Sequence, residues 1–280
     1  MENRLAQFPA WPGDADVAVA LTFDVDGEAP WLGEGPEYER RLSMLSMGQF
    51  GPSRGLGRVL DLLASREIPA TFYIPGHTVD HFPRVMPAIL ERGHEVAHHG
   101  YLHLSTDRLD ADGQRAELEQ GLAAFARHGV TPLGYRSPGW ELSPETLSML
   151  GEYGFTYESS LMADDRPYWI SSGGGSGSAP LLELPGHWSI CDWPYFGWTA
   201  YTGGLLADPA AVMRIWLDEY ESARADRRVV TYTMHPEAIG RGYLALMLGR
   251  LIDAMRERGR PWFATHAQIA ALAATADAAS

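Results

Sequence analysis

The sequence predicts an α/β fold, a parallel β/α barrel formed by a single domain over residues 1–280. Three observations carry this. Short apolar runs alternate with helix-period segments along the whole chain, the rhythm of a parallel sheet wrapped by helices. Side chains able to do chemistry collect at the C-terminal ends of those runs, where such barrels build their sites. Finally, 280 residues with 45% hydrophobic content can bury one sizeable core.

Residues 1–16, rich in Pro and Trp, read as an entry arm. Residues 17–23 (Val-Ala-Val-Ala-Leu-Thr-Phe) are almost continuously apolar, as a strand buried on both faces should be. Residues 27–55 mix Gly, Met and aromatic residues without a strong period, and are expected as a long, functional strand-to-helix connection. Leu56, Val59, Leu60 and Leu63 then form one stripe of a helix over 56–66. A second strand follows over 69–74, a helix over 82–92 ended by Gly93, and a third strand over 95–97. A long helix over 107–128 closes at Gly129, before a fourth strand over 133–135. Ser143 as N-cap and Pro144 at the first helical position open a helix over 145–153, and 155–157 make a fifth strand. The Gly/Ser-rich segment 164–180 is expected as a flexible loop, since the β/α rhythm resumes beyond it. A strand over 181–184, a helix over 208–223 and a strand over 229–234 follow. A helix over 243–258 capped by Gly259, a strand over 262–264 and an Ala-rich helix complete the chain.

A formal net charge of −14 argues against nucleic acid or an acidic membrane as partner. The lone Cys191 excludes an intramolecular disulfide and fits a reducing compartment. The first residues lack an apolar core of signal-peptide length, and no apolar run spans a bilayer, so the expected setting is cytoplasmic. That setting favours a small-molecule or oligosaccharide substrate over an assembled polymer.

His99 and His103 stand four apart directly after a predicted strand. On one turn of helix their imidazoles would share a face and hold one metal ion, with a carboxylate arriving from elsewhere. His77/His81 and His94/His98 have the same spacing, so position after a strand, rather than spacing, singles out the first pair. Asp24 and Asp26 project to one side of an extended strand end and repel unless a cation or proton lies between them. Arg136, Asp192 and His235 also fall at or beyond predicted strand ends. This set suffices to hydrolyse an amide. Asp26, His99 and His103 would leave an open position on a metal, and Asp24 would accept a proton from water. His235 would protonate the leaving nitrogen, Arg136 would hold Asp24 ionised, and Asp192 would orient Arg136 or His235.

Thr22-Phe23-Asp24-Val25-Asp26, His99-Gly-Tyr-Leu-His103, Arg136-Ser-Pro, Asp192-Trp193 and Met234-His235-Pro236 resemble the five ordered motifs of the polysaccharide deacetylase family. The match spans about residues 17–266. The resemblance implies a distorted (β/α)7 barrel that removes N-acetyl groups with one divalent metal ion, zinc first and cobalt, manganese or nickel as alternatives. It implies Asp24 as base, Asp26, His99 and His103 as metal ligands, His235 as acid, and Arg136 and Asp192 as supporting residues. Val25 stands between aspartates that are usually adjacent, and Gly139 replaces the usual aromatic, with Trp140 one place later, so no oxyanion donor is assigned. These departures, Gly240-Arg241, and the segment Leu161-Met162-Ala163-Asp164-Asp165 are similar to a cytoplasmic branch with peptidoglycan deacetylase-like proteins, cyclic imide hydrolases and allantoinase. The first reading is therefore N-deacetylation of an amino sugar. The alternative is ring opening of a cyclic imide or hydantoin, and a non-catalytic carbohydrate-binding barrel is disfavoured because base, acid and ligands are all retained.

Of Trp31, Trp140, Trp188, Trp193 and Trp198, only Trp140 and Trp193 are assigned to a substrate-stacking wall. On a helical segment His98 would point away from the metal, and no role is assigned to His77 or Arg241. Cys191 lacks an activating partner and is not a nucleophile. The aromatic loops around 31–54 and 193–198 are expected to pack between subunits of a homo-oligomer.

Overall fold

The computed structural model describes residues 4–172, 180–197 and 206–278. The Gly/Ser run over 173–179 and Trp198 lie outside the described residues. The described strands join in one ten-stranded sheet: β1 (Arg4–Leu5), β2 (Val17–Asp24), β3 (Thr71–Ile74), β4 (Glu95–His98), β5 (Gly134–Tyr135), β6 (Tyr157–Glu158), β7 (Tyr168–Ile170), β8 (Leu181–Glu183), β9 (Val229–Met234) and β10 (Pro261–Phe263). All residues of β2 are buried, which accounts for its unbroken apolar run. Along one edge β2 pairs in parallel with β9; along the other, its first residues meet β10 and its last meet β3. Parallel pairing continues through β4, β5, β6 and β8. Beyond β8, Cys191 makes a parallel bridge to Thr233 of β9. The parallel strands β9, β2, β3, β4, β5, β6 and β8 thus follow one another around a distorted (β/α)7 barrel.

Two segments depart from the sequence expectation. The predicted loop over 164–180 contains β7, which pairs antiparallel with β8 and with β1 of the entry arm. The predicted connection over 27–55 is largely helical: Ala29–Gly33, then Leu42–Phe50, which runs through a wide turn, Gly51–Gly55, into Leu56–Ala64. Glycine hides this helix from sequence reading, because it lowers helix propensity and blanks the apolar period. Packing demands it: a Cβ on Gly48 would overlap the Gly27 carbonyl, and one on Gly55 the Pro236 carbonyl. The backbone of this helix therefore lies directly against two loops at the barrel rim.

Elsewhere the shifts are small. Ser143 caps Pro144–Glu152 as expected, accepting the Thr146 N–H at 3.1 Å. The long helix begins only at Ala111, where Asp110 accepts the Gly113 N–H at 2.9 Å, and an unpredicted helix, Gly76–His81, precedes Val85–Leu90. No helix among the described residues is long and apolar enough to cross a membrane.

His98 points into the core although the segment is a strand end rather than a helical turn. Its Nε2–H donates to the Leu118 carbonyl at 3.1 Å and its Nδ1 accepts the Gly100 N–H at 3.1 Å, so the ring is held neutral. Burial pushes it down to about 3. Its folded pKa therefore lies below the unfolded value, so the unfolded chain takes up a proton first as pH falls. Chemical denaturation should show this against His98→Gln, whose amide can meet both partners. Between pH 5.5 and 4 the stability of the wild type relative to the variant should fall by about 1.4 kcal/mol per pH unit. A constant difference across that range would refute the assignment.

Candidate metal centre and active site

Five strand ends meet at one rim. Asp24 is the last residue of β2, with Asp26 two places on, while His99, Arg136 and His235 follow β4, β5 and β9 directly. Asp192 follows the Cys191–Thr233 bridge, with its N–H on the Thr233 carbonyl at 3.1 Å. All the predicted polar site residues are thereby brought together.

One detail differs from expectation. His99 and His103 are joined by a loop rather than a helical turn, with Gly100 (φ 70°) and His103 (φ 57°) in the left-handed region. Glu117, from the helix Ala111–Ala126, supports the loop by accepting the Tyr101 and Leu102 N–H groups at 2.9 and 3.0 Å. The imidazoles still converge. Donor atoms of Asp26, His99 and His103 all lie within 4.8 Å of one another. His99 Nδ1 donates to the Arg136 carbonyl at 2.7 Å, which leaves the Nε2 lone pair facing Asp26 Oδ1 at 3.6 Å. His103 Nε2 lies 3.8 Å from Asp26 Oδ2. Asp26 Oδ1 is buried with no hydrogen-bond partner among the described residues. An orphaned carboxylate oxygen facing imidazole lone pairs fits a divalent cation, and two nitrogens with one oxygen leave further positions open.

The two aspartates are treated differently by their surroundings. Burial pushes Asp24 up, but Arg136, His99 and His235 outweigh it and hold the carboxyl below its ordinary range. Arg136 donates to Asp24 Oδ1 at 2.6 Å and to Thr22 Oγ1 at 3.0 Å. Asp26 is pushed up by burial, with Asp24 and Asp192 adding repulsion. Asp192 orients His235 rather than Arg136: Oδ1 takes the His235 Nδ1–H at 2.7 Å, and Oδ2 accepts the His235 and Ile239 N–H groups at 2.9 and 3.2 Å. Burial opposes the charge on His235, yet Asp192 dominates and pushes it up to about 10. Its Nε2 faces Asp24 Oδ2 at 3.9 Å and Asp26 Oδ2 at 3.8 Å.

A cleft of ≈ 250 Å³ opens over these groups. Trp31, Trp140, Trp188 and Trp193 line it. Gly139 (φ 65°) and Trp140 (φ 61°) are consecutive left-handed residues, and Trp140 stands 4.3 Å from the Trp188 ring. His77 instead stacks on His81 at 3.8 Å, and the Arg241 guanidinium lies over the Phe50 ring.

Sequence reasoning missed Glu237. It lines the cleft, and its Oε1 accepts the N–H of Gly27, next to Asp26, at 2.8 Å. It lies two residues after His235, so one side chain ties two rim loops together. After a Pro it reads as an ordinary surface acid, and only the fold reveals the contact.

A barrel that gathers an Asp/His/His cluster beside a second Asp and a His–Asp pair at one rim fits a hydrolase of the β/α-barrel class. Residues 14–158 match the model of the polysaccharide deacetylase family, and the chain belongs to that family. A solved structure from Mycobacterium smegmatis, provisionally described as a polysaccharide deacetylase, is 35% identical with a TM-score of 0.92 over 99% of this chain and 96% of that one. The peptidoglycan deacetylase of Helicobacter pylori is 28% identical over 88% of this chain and 93% of its own length. A peptidoglycan deacetylase-like protein of Gibberella zeae is 26% identical over 87% of this chain and 82% of its own length. An allantoinase structure shares the fold, at a TM-score of 0.83 with 22% identity over 95% of this chain and 93% of that one.

Removing the Glu237 carboxylate should loosen the Asp26 loop. Calorimetric titration should show Glu237→Ala weakening zinc affinity by about 10–100-fold, with Glu237→Gln, which keeps an acceptor for Gly27, close to wild type. Equal affinity in the Ala variant would remove Glu237 from the support of the site.

Proposed function

We propose that the protein is a divalent-metal-dependent deacetylase that hydrolyses the N-acetyl group of an amino sugar, in a small or oligomeric substrate. The observation that carries this is the convergence of Asp26, His99 and His103 within 4.8 Å, flanked by Asp24 and by His235. The names of the Helicobacter pylori and Gibberella zeae relatives favour deacetylation over opening of a cyclic imide.

In this reading Trp140 and Trp193 flank the sugar and leave its acetamido group over the rim. A divalent ion on Asp26, His99 and His103, zinc by this donor set with cobalt, manganese or nickel as alternatives, supplies Lewis acidity toward the acetyl carbonyl and acidifies water. Asp24, with Oδ1 fixed by Arg136, takes the proton of the attacking water at Oδ2. His235, held through Nδ1 by Asp192, gives a proton from Nε2 to the departing nitrogen. The C–N bond breaks, and acetate and a free amine leave. The same reading takes residues 1–280 as one domain, since β1 and β10, from opposite ends of the chain, share one sheet.

Purified protein loaded with zinc should release acetate from an N-acetylglucosamine oligomer. Asp24→Asn should lower kcat by about 10²–10⁴-fold with zinc content unchanged, and His99→Ala should lose both metal and activity. Chelation should abolish turnover and zinc should restore it. Acetate release that survives Asp24→Asn or chelation would overturn the mechanism.

A further inference from the structure

A second donor cluster shares a wall with the first. Cys191 Sγ, a carboxylate oxygen of Asp192 and a ring nitrogen of His235 also lie within 4.8 Å of one another. Cys191 is buried and is one of the residues that line the cleft. The main chain fixes the cluster: Cys191 bridges Thr233, the Asp192 N–H is on the Thr233 carbonyl at 3.1 Å, and His235 lies two residues beyond. Proposed deacetylation leaves the thiol without a task.

We propose that Cys191, Asp192 and His235 form a second, inhibitory site for a thiophilic divalent cation, zinc or cobalt. The proposal rests on His235 being the acid of the proposed reaction, because an ion on this residue competes for the group that protonates the leaving nitrogen. Sulfur, nitrogen and carboxylate together select soft and borderline cations, whereas magnesium and manganese prefer oxygen. Burial holds the thiol protonated, well above the ordinary thiol range, and coordination displaces to solvent that proton and one proton of the His235 imidazolium. Asp192 contributes an existing negative charge, and no electron changes hands.

The order of filling follows from the partners each site gives up. Asp26 Oδ1 has no hydrogen bond to lose among the described residues. Asp192 is engaged by the His235 ring and two N–H groups, so the second ion displaces satisfied contacts and binds more weakly. One equivalent should therefore activate and an excess inhibit.

The test is a cobalt(II) and zinc(II) titration of the metal-stripped full-length protein, followed by absorption spectroscopy and by bound-metal analysis, with acetate release as a separate arm. The first equivalent of cobalt should give no thiolate-to-cobalt charge-transfer band. The second should give that band, and Cys191→Ser and Cys191→Ala should lack it. Acetate release should peak at one equivalent of zinc and fall about 100-fold, the typical contribution of a general acid, at saturation of the second site. Both variants should escape that fall, and excess manganese should not cause it. A thiolate band at the first equivalent, none at the second, or equal zinc inhibition of the variants would overturn the proposal. Because spectrum and stoichiometry are read without substrate, a protein with no acetate release but a second-equivalent thiolate band would refute the deacetylase reading while leaving the metal site standing.

Discussion

The buried guanidinium of Arg136 organises this site. It is fully enclosed, and a charge in that position is tolerable only when every donor is met. Asp24 and Thr22 of β2 take one end, while the Ser159 carbonyl and hydroxyl, just past β6, take the other at 3.0 and 2.9 Å. The Tyr73 ring of β3 lies against its face at 4.0 Å. Three strands are thereby held in register beneath the rim. Arg136 also acts through its main chain, since its carbonyl fixes the tautomer of His99. One residue thus orients the proposed base by its side chain and a proposed ligand by its backbone. Lysine offers neither the fork nor the flat face, so charge alone would not replace it.

The opposite side of the rim is set by close backbone approach rather than by charge. The helix from Leu42 to Ala64 lies against the Gly27 and Pro236 loops at Gly48 and Gly55, where any side chain would collide. Gly51 leaves the space that Glu237 occupies. This packing brings the loop carrying Asp26 and the loop carrying His235 to a common support, and Glu237 then ties them through Gly27. Small residues here set the distance between a proposed metal ligand and the proposed acid.

Legibility of the chain follows the range of the forces involved. Strand ends could be read because burial on both faces leaves a continuous apolar run, and the polar residues that end it stand out; Asp24, His99, Arg136 and His235 were located this way. The Ser143–Pro144 cap is local and was equally readable. The strand β7 was not, since three residues between Pro167 and a Gly/Ser run gain their structure from β8 and from a two-residue strand near the N-terminus. His99 and His103 stand out by their place after a strand, but the form of the segment that joins them could not be read. A spacing of four fits a helical turn, but the deciding contact is Glu117, which no local pattern announces. The partner of Asp192 stayed open between Arg136 and His235 because sequence order says nothing about which side of a ring of strands a carboxylate faces.

Two carboxylates one residue apart show why this arrangement calls for a cation. Arg136 lowers the cost of ionising Asp24, so its negative charge is stable in the folded protein. That charge is felt by Asp26, which has burial against it and no arginine partner among the described residues. The neighbours of Asp26 are the nitrogens of His99 and His103, whose own protonation is opposed by burial, His103 being pushed down to about 4. Near neutral pH these two imidazoles offer lone pairs rather than protons, and the charge of His235, 3.8 Å from Asp26 Oδ2, is shared with Asp192 and Asp24. A divalent cation satisfies all three donors at once, and the neighbouring charge of Asp24 adds to its attraction. The strand alternation that puts Asp24 and Asp26 on one side creates the repulsion, and the loop from His99 to His103 supplies the geometry that a metal ion can resolve.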